Sequence, residues 1–148
     1  MSSNAAIGLI PIDRDGTVRG YTGVLPPVMR SVSQGAVDLY GLAGFEEPWI
    51  CYLALENGTP VGTCGFKSPP SDGRVEIAYF TFSGSEGRGI ATAMAAALVA
   101  MAKPFPVNVA AQTLPDRNAS HRVLEKLGFR YVETVQHPED GPVWEWRL

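Results

Sequence analysis

A chain of 148 residues with 45% apolar and 18% charged side chains can bury a core without disulfides or metal staples, and its composition excludes the disordered and collagen-like classes. Lys and Arg number 12 against 15 Asp and Glu, a net charge of -3 with no dense basic block, which argues against nucleic acid or a membrane surface as partner and favours a neutral or cationic substrate. The first residues lack the basic start and long apolar core of a secretion signal, and the longest apolar run, within residues 90–102, is too short to span a bilayer, so one cytoplasmic domain over residues 1–148 is expected.

Residues 6–12 (AIGLIPI) read as a first strand, with Pro11 marking a sheet edge or a strand end. Val28, Met29, Val32, Ala36, Leu39, Tyr40 and Leu42 recur at helical steps, which predicts a helical region interrupted near Gly35. Residues 49–55 and 61–66 flank Asn57-Gly58, the best hairpin signal in the chain. In the register of a simple two-residue turn, Pro60 faces Leu55 and Cys51 stands opposite Cys64, although a reducing compartment disfavours a disulfide between them. Neither thiol forms a metal-binding spacing with His121 or His137, so both are read as structural and no metal is expected; the two histidines are expected to be exposed.

Residues 74–82, rich in β-branched and aromatic side chains, read as a central strand that stops at Ser83-Gly84-Ser85. An alanine-rich helix over residues 87–103 follows, able to lie close against a sheet. A strand at 107–113, a helix from about 118 to 127 closed by Gly128, and a strand at 129–135 come next. The last strand, 143–148, alternates Trp144, Trp146 and Leu148 with Val143, Glu145 and Arg147, as a half-buried strand with one solvent face does. The order β, α, β, β, β, α, β, α, β, β describes a single mixed α/β (α+β) domain.

Chemistry concentrates where the central strand enters the alanine-rich helix, at Phe82-Ser83-Gly84-Ser85-Glu86-Gly87-Arg88-Gly89-Ile90-Ala91. Glycines there let the unpaired N–H groups of a helix start approach a ligand, and those donors with the helix dipole favour a phosphate. The same run also serves as a plain glycine-rich helix start. A nucleotide P-loop is excluded because no Gly-Lys-Ser/Thr follows, and the glycine spacing of a dinucleotide fingerprint is absent.

This pattern resembles the GNAT superfamily of acetyl-CoA-dependent N-acetyltransferases, whose pyrophosphate loop reads Gln/Arg-x-x-Gly-x-Gly/Ala after the fourth strand. Gly89 and Ala91 match, whereas Glu86 puts an acid where the family commonly has Gln or Arg, which leaves the contact to main-chain donors from Gly87, Arg88, Gly89, Ile90, Ala91 and Thr92. A second segment, residues 114–129 with Asn118, Leu124, Lys126, Gly128 and Phe129, is similar to the branch containing ribosomal-protein alanine N-acetyltransferases and aminoglycoside-modifying enzymes. The resemblance runs from about residue 6 to the end of the chain. It implies a mostly antiparallel central sheet flanked by helices, acetyl-CoA as co-substrate, and a primary amine of a small molecule or peptide as acceptor. A homodimer is compatible with it. A non-catalytic acyl-CoA sensor or interaction module of the same fold is the alternative.

By the same resemblance, Tyr79, Phe80, Thr81 and Phe82 offer main-chain groups to the pantetheine arm, and Asn118 contacts coenzyme A; Asn118 is equally suited to cap its helix. Ser120 stands where relatives place a hydroxyl that returns a proton to the departing thiolate. Glu76 interrupts an otherwise apolar strand, and a carboxylate there either receives the proton of the substrate amine or pairs with a basic neighbour.

Overall fold

The structure, a computed structural model, describes residues 6–116 and 118–148. Within them, strands β1 (Ile7–Pro11), β2 (Cys51–Glu56), β3 (Thr59–Phe66), β4 (Arg74–Thr81), β5 (Asn108–Thr113), β6 (Arg130–His137) and β7 (Gly141–Arg147) alternate with helices α1 (Met29–Ala43), α2 (Ile90–Ala102) and α3 (Ala119–Lys126). The strands form one sheet in the order β1-β2-β3-β4-β5-β7-β6. Each neighbouring pair is antiparallel except β4 and β5, which run parallel. The expected order of elements and the single mixed sheet are both present, with Pro11 on the edge strand. No helix among the described residues is long and apolar enough to cross a membrane.

Helix α1 runs unbroken through Gly35, against the expected interruption. A helical glycine costs about 1 kcal/mol relative to alanine, and burial of Met29, Ala36 and Tyr40 against the sheet offsets it. The Tyr40 hydroxyl ties the helix down, donating to the Ile12 carbonyl at 2.8 Å and accepting from the Cys51 N–H at 2.9 Å.

The hairpin turns at Asn57 and Gly58, with φ of 51° and 78° as a two-residue turn of the favoured hand requires. Leu55 faces Pro60 as expected, but the register then shifts between Ala54 and Leu55, so that Cys51 faces Gly65 and Tyr52 faces Cys64. A bulge is at home beside a proline that cannot donate to the ladder. Its consequence is a correction: successive residues point to opposite faces, so the one-residue slip puts Cys51 and Cys64 on opposite sides of the sheet, and both are free thiols.

Register also sorts the two faces. Gly62, Cys64, Phe66, Ile77, Tyr79 and Thr81 share one face, and Thr63, Gly65, Ala78 and Phe80 the other. Helix α2 crosses the first face so closely that a Cβ on Gly62 would meet Met94 Cε at 3.0 Å and the Phe80 carbonyl at 2.6 Å. Helix α3 lies on the same side, where its His121 ring stacks on Trp144, 5.1 Å between centroids, and tilts against Trp146. Helix α1 covers the opposite face over β2 and β3, bordering Cys51, Thr63 and Gly65.

Beyond α1, that second face carries a charge network. Glu145, expected toward solvent, is 3% exposed. It accepts from Arg74 at 2.7 and 3.0 Å, from Gln112 at 3.0 Å and from Arg147 at 2.9 Å. Burial would raise its pKa, but the hydrogen bonds from Arg74, Gln112 and Arg147 outweigh it and bring the carboxyl down to about 2. Strand β7 lies between β5 and β6, so both of its edges are paired.

Candidate active site

Strand β4 pairs with β3 over Ile77 to Thr81 but with β5 only along its first half. Pairing with β5 covers Arg74 with Asn108, Val75 with Val109 and Glu76 with Ala110, and stops there, although β4 continues to Thr81 and β5 to Thr113. The two strands diverge, and on the β5 side the main-chain groups of residues 77–81 have no strand partner among the described residues.

A groove of about 510 Å³ leads to this opening on the α2 and α3 side, bordered by Tyr79, Phe80 and Thr81 of β4, by Glu86, Gly87, Gly89, Ile90, Ala91 and Thr92, and by Ser120, Arg122 and Lys126 of α3. The chain turns at Gly84, Gly87 and Gly89, with φ of 92°, 79° and 78°. Helix α2 therefore begins at Ile90, three residues later than the alanine-rich pattern suggests, with Gly89 as its N-cap and no side chain capping it. The first N–H groups of a helix have no intrahelical partner, so those of Ile90, Ala91 and Thr92 face the groove as free donors. Replacing either Gly87 or Gly89 would strain a left-handed backbone, although nothing lies within 4 Å of the position of a Cβ.

Arg88 behaves otherwise than a phosphate ligand. Its guanidinium leaves the loop and binds Glu56 at the hairpin at 2.8 Å, and Arg88 does not line the groove that Gly87 and Gly89 border. The cationic side chains that do line it are Arg122 and Lys126, neither of which was expected to contact the ligand. Their spacing of four residues puts both on one helix face, and the inward positions His121 and Leu124 would have revealed that face. Glu86 also borders the groove, and these two cations offset its charge.

Asn118 is the N-cap of α3: its Oδ1 accepts from the N–H of Ser120 at 2.9 Å and of His121 at 3.4 Å. Arg117, within the same sequence segment, lies outside the described residues. The cap directs His121 inward. Expected to be exposed, it is 1% exposed, with Nε2 3.3 Å from the Leu114 carbonyl.

Between the diverging strands sits a small polar throat of about 110 Å³, lined by Lys67, Ile77, Ala78, Tyr79, Ala111, Gln112 and Ser120. Burial raises the pKa of the Tyr79 phenol, and its hydrogen bond with Ser120 acts in the other direction without cancelling the rise. Tyr79 thus stays protonated, in contact with the Ser120 hydroxyl. Glu76 immediately precedes the throat on β4. Its side chain is 11% exposed, with Lys67 Nζ 2.7 Å from one oxygen and Arg74 3.3 Å from the other, so the basic-neighbour arrangement is the one present. Phe82, just past the end of β4, is buried at 5% exposure, and against expectation it has no main-chain group to offer: its N–H donates to the Val61 carbonyl and its carbonyl accepts from the Ser85 N–H, both at 2.9 Å.

A groove of uncapped main-chain donors ending in a gap between parallel strands has the form and the donors to suit a long anionic ligand. A family model described as an acetyltransferase (GNAT) domain matches residues 8–130. The chain belongs to the GNAT acetyltransferase family. Among curated proteins none matches it. Among solved structures, the ribosomal L7/L12 alpha-N-protein acetyltransferase RimL in its apo form aligns at a TM-score of 0.70 with 16% identity, over 99% of this chain and 95% of that one. A GNAT-family protein from Bordetella pertussis aligns at 0.66 with 19% identity, over 99% and 97%. These two share the GNAT fold with the chain. The aminoglycoside acetyltransferase AAC(6')-Ib, solved in complex with coenzyme A, aligns at 0.60 with 26% identity over 67% of this chain, which spans 65% of the length of that relative. The residues present here fit the coenzyme such a GNAT protein takes: main-chain donors and two cations for its phosphates, and an unpaired strand edge for its amide-bearing arm.

Proposed function

We propose that this chain transfers the acetyl group of acetyl-CoA directly to a primary amine. The observation that carries this reading is that three spaces adjoin: the α2–α3 groove and the throat between β4 and β5 share Tyr79 and Ser120, and the throat and the cavity under α1 share Lys67, Ala78 and Tyr79. A coenzyme and an amine can then meet end to end without a covalent acetyl-enzyme, and holding them so converts a bimolecular reaction into an effectively unimolecular one.

Acetyl-CoA supplies the activated thioester. The N–H groups of Gly87, Gly89, Ile90, Ala91 and Thr92 hold its diphosphate, with Arg122 and Lys126 beside them, and the free edge of β4 over Tyr79, Phe80 and Thr81 binds the pantetheine arm and polarises the carbonyl. Asn118 serves by capping α3 and thereby fixing Ser120 in the throat. Ser120, hydrogen-bonded to a phenol that burial keeps protonated, donates to the sulfur as it leaves. Glu76 receives the proton of the acceptor amine by way of water, its carboxylate held at the mouth of the throat by Lys67.

The engagement of Glu76 by two cations favours one other reading, an acyl-CoA-binding module without turnover. Release of free thiol from acetyl-CoA against amino acids, polyamines, aminoglycosides and short peptides separates the two. Transfer to any of them establishes the enzyme. Tight coenzyme binding in calorimetry with no thiol released across the panel leaves the binding module, and absence of coenzyme binding rejects both.

A further inference from the structure

A second cavity, of about 180 Å³, opens on the α1 side of the sheet. Val32, Ala36 and Leu39 of α1 form one wall, and Thr63, Ala78 and Phe80 of β3 and β4 the other. It shares Lys67, Ala78 and Tyr79 with the throat, so a group seated in it lies one step from the point where the coenzyme's reactive end arrives. Lys67 is the charged side chain on its border, and no carboxylate among the described residues lines it.

We infer that the acceptor is a monoamine carrying one apolar substituent about the size of a benzene ring or a branched chain of similar bulk, which fills this cavity while the amine enters the throat. The inference rests on the transferase reading above and adds the substrate class to it. Three properties carry it. The cavity adjoins the throat at Lys67, Ala78 and Tyr79. Its volume is close to the roughly 150 Å³ of apolar space that accepts one benzene. Its walls, among the described residues, offer no carboxylate to a second ammonium, which would sit without a counter-charge in largely apolar surroundings next to the Lys67 cation. Polyamines and aminoglycosides are disfavoured on that last ground, and a free arylalkylamine or the amino end of a peptide with an apolar first side chain presents the shared chemistry.

The test is a kcat/KM series on the full chain with saturating acetyl-CoA. Straight-chain amines from ethylamine to octylamine should rise about fourfold per methylene, the ratio set by about 0.8 kcal/mol for each buried CH2, and then level off once the cavity is full. Phenethylamine should exceed spermidine and kanamycin by at least about tenfold. Phe-first and Asp-first tripeptides beside phenethylamine distinguish a peptide from a free amine as the source. Val32→Phe, which fills the cavity from α1, should raise the KM for phenethylamine about tenfold while calorimetry shows the affinity for acetyl-CoA unchanged; if that variant does not fold, the chain-length series alone decides. A flat series, or spermidine or kanamycin as the better acceptor, overturns this inference and leaves the transferase standing. No thiol released from any amine brings down the transferase reading, and this inference with it.

Discussion

The coenzyme groove and the cavity under α1 share Tyr79 and Phe80, yet they are made of different material. The groove is backbone, a run of left-handed glycines and the uncapped start of a helix, with two exposed cations at its edge. The cavity is side chain, with α1 residues apposed to strands from a distant part of the sequence. Main-chain donors recognise what every reaction of the family has in common, while side chains are free to vary with the acceptor. A change at Gly89 should therefore damage only the coenzyme half. Gly89→Val forces a β-branched residue into a backbone with φ of 78° at the point where the donors are aimed. Strain of about 1–3 kcal/mol and misplaced charge-assisted hydrogen bonds should weaken acetyl-CoA binding about a hundredfold in calorimetry, while the melting temperature falls by about 2–4 °C for each kcal/mol of strain and the chain stays folded. Retained affinity would mean that the loop is only a helix start.

The same contrast explains what could be read from the sequence. A site built of backbone must be written locally, as glycines at fixed positions before a helix, and Gly87, Gly89 and the alanines of α2 were legible for that reason. The hairpin at Asn57-Gly58 was legible too, but the bulge that moves Cys51 opposite Gly65 was not, because an inserted residue leaves no local mark apart from Pro60. Glu145 looked like a solvent residue because its partners Arg74 and Gln112 lie 71 and 33 positions away. His121 was misjudged by residue type, when its place three residues before Leu124 already put it on the inward face of α3.

A smaller effect should separate the two halves at the throat. If Glu76 takes the amine's proton, Glu76→Gln lowers kcat/KM for the acceptor about tenfold to a hundredfold at low pH, and the deficit shrinks as pH rises and the amine loses its proton unaided. The affinity for acetyl-CoA should stay as it was, since Glu76 does not border the groove. A pH–rate profile that matches the unmodified protein throughout would take Glu76 out of the chemistry and leave it as the anchor of Lys67 and Arg74.

The smallest expected effect lies at the groove's edge. Arg122 and Lys126 are exposed, so solvent screens whatever they contribute, and contacts of that kind are worth about 0.2–1 kcal/mol each. Arg122→Ala or Lys126→Ala should then raise the KM for acetyl-CoA about two- to fivefold, and the double variant about tenfold. The turnover number should not move, because neither side chain reaches the throat. The KM for the acceptor should not move either. Salt supplies the control: the difference between the double variant and the unmodified protein should narrow as ionic strength rises and the Debye length contracts to a few ångströms. A penalty that persists in high salt would mean that the two side chains shape the groove by packing, and a penalty that appears in turnover would place them nearer the reacting atoms than the structure does.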